Sequence, residues 1–271
     1  MKKSYVVLSL VLIASVGFAV SSILLPSLSA RVNWGLMAIL LTVLVILAFF
    51  FKFESVALSS KEIALVSMLA TISAVLRIPF AAIPSLQPCT FLIICSGYVF
   101  GPVAGFMVGA MTPLISNFFL GQGPWTLYQM LAWGLIGYGA AYLPRFMTVT
   151  PVIPSRSNVI ASEAKQPRSE GAAGNLRRND RKGLIIVGVI CGFLFGFITN
   201  IYFWLYFAYP LTFSTLLFAQ LSSFWFDISH AIGNAIFLGL FGTKTIAILE
   251  RYKKRFSWGF RVIASEAKQS L

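Results

Sequence analysis

Residues 88–143 read PCTFLIICSGYVFGPVAGFMVGAMTPLISNFFLGQGPWTLYQMLAWGLIGYGAAYL, a stretch of the chain that contains no charged side chain. Its three apolar runs are separated by Gly101-Pro102 and by the segment GQGPWT at 121–126, and both separators interrupt regular structure. Apolar and polar residues do not alternate within the runs, as they would in half-buried strands. The stretch therefore predicts three helices in an apolar environment, joined by tight turns.

The whole chain has the composition of a membrane protein. Of its 271 residues, 58% are hydrophobic and 11% are charged, and the mean hydropathy is +0.85. Soluble domains carry about 25% charged residues. The predicted fold class is an all-α polytopic membrane protein, in which several apolar segments approach or exceed the roughly 20 residues of a bilayer span and the fourth segment is short for a full span. The predicted segments are 4–25, 34–51, 62–78, 87–100, 103–119, 127–143, 184–207 and 220–248.

The basic residues follow the distribution expected of a membrane protein. With the N-terminus in the cytoplasm, all 21 Lys and Arg residues except Arg31 and Arg77 lie on the cytoplasmic side. The net charge of +13 is thereby explained without a nucleic acid partner. Both termini are expected in the cytoplasm. The segment 4–25 is interpreted as a retained helix, because it is longer than the core of a signal peptide and lacks a convincing cleavage site.

The octapeptide VIASEAKQ occurs at 159–166 and again at 262–269. It has no apolar periodicity, and it resembles the translation of a dispersed repetitive DNA element. Both copies are interpreted as insertions at exposed cytoplasmic positions, where added length costs little stability. The predicted organisation is two transmembrane helices in 1–55, a six-helix core in 56–251 interrupted by an inserted disordered loop at about 152–182, and a basic tail in 252–271 that is disordered from 258.

The turn at 117–129 has more polar side chains than a hairpin between two helices requires. Asn117, Gln122 and Gln129 supply amides, while Trp125 and Tyr128 either anchor at the membrane interface or stack on a planar ligand. Irregular backbone at membrane depth is tolerated where it is buried in protein or lines a cavity. These residues therefore predict a lid over a ligand site, with a simple interfacial turn as the alternative.

Ionisable and amide side chains also occur inside the last two predicted spans. Asp227, His230 and Asn234 lie three and four residues apart, so they share one helical face. Asn200 and Trp204 are four residues apart in the preceding span. Because a charged group inside a membrane costs several kcal/mol unless it is paired or hydrated, these side chains predict substrate contacts. A structural Asp–His pair is the alternative.

Arg77 ends the third predicted span, just before a proline-rich loop. Its side chain is expected either to snorkel to the interface or to bind a carboxylate or phosphate of a ligand. In the same span, Ala70 and Ala74 form a small-x-x-x-small motif, which allows close contact between helices. No metal site and no cofactor are predicted, because the chain has one histidine and no metal-ligand spacing connects its cysteines, Cys89, Cys95 and Cys191.

Residues 61–250 resemble the substrate-binding S component of an energy-coupling-factor (ECF) transporter. The similarity is strongest in 88–143, through the GPxxGFxxG turn at 101–109, the GPWT loop at 123–126 and the glycine-rich helix that follows. The resemblance implies a six-helix core in a bacterial or archaeal plasma membrane, a ligand enclosed near the outer side, and no enzymatic activity. It further implies that Ala70 and Ala74 dock the transmembrane T component. The N-terminal helices and the inserted repeat depart from the family pattern.

The resemblance also implies a mechanism. The chain would bind a vitamin from outside, associate with the T component and two cytoplasmic ATPases, and tip over in the membrane to release the ligand inwards. The absence of a GxxxxGK[ST] motif agrees with a binding subunit that depends on these partners. The aromatic, amide-rich outer face favours cobalamin or another corrinoid, then riboflavin or a queuosine precursor. The alternatives are an intramembrane enzyme that uses Asp227 and His230, and an assembly subunit that binds no small molecule.

Overall fold

The computed structural model of the chain describes residues 33–55, 59–145 and 169–256. All regular secondary structure in these ranges is helical, which confirms the predicted fold class. The elements are α1 (Trp34–Glu54), α2 (Ser60–Arg77), α3 (Cys89–Phe100), α4 (Pro102–Leu120), α5 (Trp125–Ala140), a short 3-10 turn (Leu143–Arg145), α6 (Ser169–Phe207), α7 (Phe213–Ser222), α8 (Phe224–Phe237), a π-helical turn (Leu238–Gly242) and α9 (Thr243–Arg255).

Helix α3 is surrounded by other helices of the bundle. Its 12 residues are all buried, because α2, α4, α5 and α9 pack around it. At 1.5 Å per residue it is about 18 Å long, which is less than the roughly 30 Å thickness of the hydrocarbon core. The predicted span 87–100 is therefore an internal helix that does not cross the bilayer by itself.

The backbones of α3, α4 and α5 touch where glycines face each other. A Cβ atom added to Gly97 or Gly105 would lie closer than 3.0 Å to the carbonyl oxygen of Gly137, and a Cβ on Gly137 would lie equally close to the carbonyl oxygen of Gly105. The positive φ of Gly101 (+94°) lets α3 turn directly into α4, which begins at Pro102. These contacts place the three helices of the stretch 88–143 in the centre of the molecule.

Helix α1 is part of the same core. The Phe49 ring stacks on Phe106 of α4, with ring centroids 3.7 Å apart, and it meets Tyr138 of α5 edge-on. Val45 and Ile46 are buried in the same cluster. The second predicted span thus packs as an additional helix against α4 and α5. The first predicted span, 4–25, lies outside the described residues.

The C-terminal part differs from the prediction of a single span at 220–248. Helix α8, the π-helical turn and α9 form one continuous helical stretch, Phe224–Arg255. Helix α7 precedes it and was not predicted, because its 10 residues are too few to register as a span. Within the described residues, four helical stretches are long and apolar enough to cross a membrane: Gly35–Glu54, Pro102–Leu120, Arg181–Phe207 and Phe224–Arg255.

Helix α6 extends further towards the N-terminus than the predicted span 184–207. It begins at Ser169, so residues 169–182 are helical where disorder was predicted. Alanines and long charged side chains in this range are compatible with continuing a helix from the apolar segment that follows it. Both copies of the repeat, 159–166 and 262–269, lie outside the described residues.

Candidate functional site

The side chain of Arg77 lies inside the helix bundle. Only 6% of the residue is exposed, so the side chain does not reach the surface as a snorkelling arginine would. Its Nε donates to Oε1 of Gln87 (2.8 Å), and its Nη1 donates to Oγ of Ser116 (2.7 Å) and to Oδ1 of Asn117 (2.6 Å). The guanidinium carbon also lies 4.9 Å from the centre of the Trp133 ring.

Asn117 connects Arg77 to the turn that joins α4 to α5. Its Nδ2 donates to Oγ1 of Thr126 (2.8 Å) and to Oε1 of Gln129 (2.9 Å). The Thr126 hydroxyl in turn donates to Oε1 of Gln122 (2.9 Å). Asn117 is 1% exposed and Thr126 is 4% exposed, whereas Gln122 is exposed, so this polar network extends from the interior of the bundle to the surface of the turn. We call these hydrogen-bonded residues the Arg77 network: Arg77, Gln87, Ser116, Asn117, Gln122, Thr126 and Gln129.

His230 approaches the Arg77 network through Trp133 and Thr90. Nε1 of Trp133 donates to Oγ1 of Thr90 (2.9 Å), and the same Oγ1 lies 2.9 Å from Nε2 of His230. The Trp133 ring stacks on Phe195, and Phe195 also contacts the His230 ring. Arg77 and His230 therefore both lie close to one buried tryptophan.

Asp227 and Asn200 belong to a separate polar cluster. Oγ of Ser223 donates to Oδ2 of Asp227 (2.9 Å), and Nδ2 of Asn200 donates to Ser223 and to Gln220. The Asp227 carboxylate packs against Gly196, where an added Cβ atom would lie closer than 3.0 Å to both of its oxygens. This cluster ties α6 to α7 and α8.

The shared face predicted for Asp227, His230 and Asn234 does not bring them to one site. Asp227 bonds Ser223, His230 contacts Thr90, and Nδ2 of Asn234 donates to the carbonyl oxygen of Gly188 (3.1 Å). The three side chains lie on one helix, but each has its own hydrogen-bond partner, which the periodicity of a single helix cannot reveal. A structural Asp–His pair is likewise not what the geometry shows.

Three aromatic residues of the prediction lie apart from the Arg77 network. Trp125 is 41% exposed, and its ring folds over Gly123. Tyr128 is buried against the Tyr202 ring, with centroids 5.1 Å apart. Nε1 of Trp204 donates to Oγ1 of Thr215 of α7 (3.0 Å). None of the three rings stacks on Arg77 in the described contacts, and a ligand-stacking role for them stays a prediction.

Ala70 and Ala74 are buried within the chain itself. They are 1% and 0% exposed, because α2 packs this face against α3 and α4. A docking surface for another protein needs accessible atoms, so the assignment of these alanines to T-component docking is corrected. The small side chains instead allow α2 to approach its own neighbours closely.

Several residues of the site were missed in the sequence analysis. Ser116 and Gln87 complete the Arg77 network, and Thr90 and Trp133 connect it to His230. A hydroxyl or an indole in an apolar run is ordinary, so only the three-dimensional contacts identify these residues. Within the described residues, no group of three His, Cys, Asp or Glu side chains is arranged to hold a metal ion.

A family comparison matches most of the described part of the chain. The sequence model of the ECF transporter substrate-specific component matches residues 61–241, which begin just inside α2 and end in the π-helical turn. Helix α1 lies outside the matched range. No curated protein and no solved structure shows significant similarity to the chain.

Proposed function

Because this chain belongs to the ECF transporter substrate-specific components, we propose that it binds a vitamin or vitamin-like compound in the membrane for an ATP-driven importer. The observation that supports binding at a particular place is the Arg77 network. A charged side chain, the amide of Asn117 and the hydroxyls of Ser116 and Thr126 are buried there in an otherwise apolar bundle. Enclosed polar groups of this kind are costly in a membrane protein and mark a functional site by default.

The proposed transport cycle follows from the family. The chain binds its ligand from the outer side, associates with a transmembrane T component and two cytoplasmic ATPases, and tips in the membrane to release the ligand inwards. Both termini of the chain are cytoplasmic in this proposal, as the distribution of its basic residues indicates. A corrinoid remains the first proposed ligand, followed by riboflavin and a queuosine precursor.

The test of the proposed function is mass spectrometry of small molecules extracted from the purified full chain, followed by uptake assays. We expect a vitamin-like compound to co-purify, and we expect its uptake to require co-expressed T component and ATPases. Uptake or chemical conversion by the chain alone would favour the intramembrane enzyme. A chain that carries no small molecule after growth with a vitamin mixture would favour the assembly subunit.

The exposed face of α2 is the proposed docking surface for the T component. It runs along the side opposite Ala70 and Ala74, and it combines small with larger apolar side chains: Ala64, Ser67, Met68, Thr71, Ile72 and Val75. Ser67 and Thr71 are four residues apart and exposed, so they preserve the small-x-x-x-small spacing on the accessible side.

Substitutions on the two faces of α2 are expected to have different effects. Ser67→Leu with Thr71→Leu should reduce the T component recovered with the purified chain by about tenfold or more, while ligand binding stays intact, because bulky groups separate packed helices. Ala70→Leu should instead lower the yield of folded chain, since overpacking a buried position costs about 1–3 kcal/mol. Normal recovery of the T component with the Ser67 and Thr71 variant would contradict this docking surface.

A further inference from the structure

Arg77 has hydrogen-bond donors that its own chain does not use. A guanidinium has five N–H donors, one on Nε and two on each Nη nitrogen. Gln87 accepts from Nε, while Ser116 and Asn117 accept from Nη1. Within the described residues, Nη2 has no hydrogen-bond partner, although the residue is only 6% exposed. Two N–H donors of an enclosed cation are therefore available to a ligand.

The positive charge of Arg77 also has no counter-charge in the described part of the chain. All three of its hydrogen-bond acceptors are neutral amides or hydroxyls. Among the carboxylates, Asp227 accepts from Ser223, and Glu62 accepts from the backbone N–H of Ser59 at the opposite end of α2. The Trp133 ring is the one electron-rich group against the guanidinium that the described contacts show.

A single aromatic ring does not offset the burial of a full charge. A cation–π contact recovers only part of the free energy that desolvating an ion costs. Buried charges in proteins are as a rule paired with an opposite charge. The neutral surroundings of Arg77 thus leave its positive charge uncompensated, and an anion at Nη2 would compensate it.

We infer that the ligand of this chain presents an anionic group, a carboxylate or a phosphate, to Nη2 of Arg77. The inference rests on the proposed function, and it narrows the substrate class to acidic compounds. Arginine suits this role because its planar donors match the oxygens of carboxylate and phosphate groups. A corrinoid meets the requirement through an acidic group such as a phosphodiester, and its neutral amides do not suffice.

The inference is tested with pairs of compounds in which one member has an acidic group that the other lacks. The purified full chain is mixed with nicotinate and nicotinamide, pantothenate and panthenol, biotin and biotinamide, riboflavin and its monophosphate, thiamine and its monophosphate, and cobalamin and cobinamide, which lacks the phosphate-containing nucleotide. Binding is measured by the rise in Tm and by titration. For the pair that binds, we expect the acidic member to have a Kd at least tenfold lower than the member without the acidic group. The chemistry of that acidic member then shows whether the ligand presents a carboxylate or a phosphate to Arg77.

Variants of the Arg77 network separate binding from folding. Asn117→Asp replaces the amide whose oxygen already accepts from Nη1 with a carboxylate, so the chain itself supplies the counter-charge to Arg77. The change also removes the Nδ2 donations to Thr126 and Gln129, which the new ion pair offsets. We expect this variant to fold with a Tm close to that of the unaltered chain and to bind the acidic compound at least tenfold more weakly. Arg77→Gln should abolish the preference for the acid. Lys61→Gln removes an exposed charge at the other end of α2 and should bind as the unaltered chain does.

Each outcome bears on a different conclusion. Equal affinity for acid and neutral members, or undiminished acid binding by Asn117→Asp and Arg77→Gln, would overturn the anionic ligand and leave the proposed function standing. If no compound raises the Tm of the unaltered chain and none is extracted from it, both the anionic ligand and the proposed function fail.

Discussion

Gly137→Ala is expected to prevent the chain from folding. The added Cβ would lie closer than 3.0 Å to the backbone carbonyl group of Gly105, a separation that real Cβ atoms essentially never show. Backbone cannot rotate away as a flexible side chain can, so α4 and α5 would have to separate. The cost should exceed the roughly 1–3 kcal/mol of ordinary overpacking. The measurement is the yield of monodisperse protein on size-exclusion chromatography in detergent.

Gly139→Ala is the matched control for this prediction. Gly139 lies on the same helix, and nothing lies within 4 Å of an added Cβ there. Alanine has the higher helix propensity, so this change should leave the yield unchanged or raise it slightly. A monodisperse Gly137→Ala protein with the Tm of the unaltered chain would show that the α4–α5 contact is looser than the structure indicates.

Thr90→Val is expected to produce the second large loss, in this case of both stability and ligand binding. Valine has nearly the shape of threonine but cannot hydrogen-bond, so Nε1 of Trp133 and Nε2 of His230 would both lose their partner. Leaving a buried polar group unpaired costs about 1–3 kcal/mol, and two such groups are involved. We expect a Tm lower by several degrees and at least tenfold weaker binding of the co-purifying compound, because Trp133 supports Arg77.

Thr112→Val tests whether the loss at Thr90 comes from the broken contacts. Thr112 is also fully buried, but its hydroxyl donates to the carbonyl oxygen of Val108 one turn earlier in its own helix. Removing this hydroxyl leaves no other polar side chain without a hydrogen-bond partner, so Tm and ligand binding should change little. Equal losses in the two variants would mean that buried threonine hydroxyls matter generally and that Thr90 has no special role in holding Trp133 and His230.

The helices of this chain could be predicted largely from its sequence. The stretch 88–143 contains two breaks, at Gly101-Pro102 and at 121–126, and the structure has helix boundaries at both. Apolar length alone was less informative. It indicated a span at 87–100, where α3 is a short internal helix, and it did not indicate α7, because a short helix beside a longer one leaves no distinct hydropathy signal.

The candidate site could be predicted only in part. The polar residues Arg77, Asn117, Gln122 and Gln129 were conspicuous in an apolar chain, and the structure joins them in one network. Asp227 was expected beside His230 for the same reason, yet Asp227 accepts from Ser223 at the start of its own helix, whereas His230 bonds Thr90 of α3. Polarity identifies which residues need a partner, but it does not specify the partner.

The sequence by itself determined that the chain is an all-helical membrane protein of the ECF substrate-specific family, because hydropathy, charge placement and the glycine–proline breaks are local properties. Only the tertiary structure decided which helix faces contact one another. It buried Ala70 and Ala74 against the chain's own helices and turned Arg77 inwards among neutral partners. The physical reason is that burial and hydrogen-bond pairing depend on contacts between residues distant in sequence, such as Arg77 with Asn117 and Thr90 with His230.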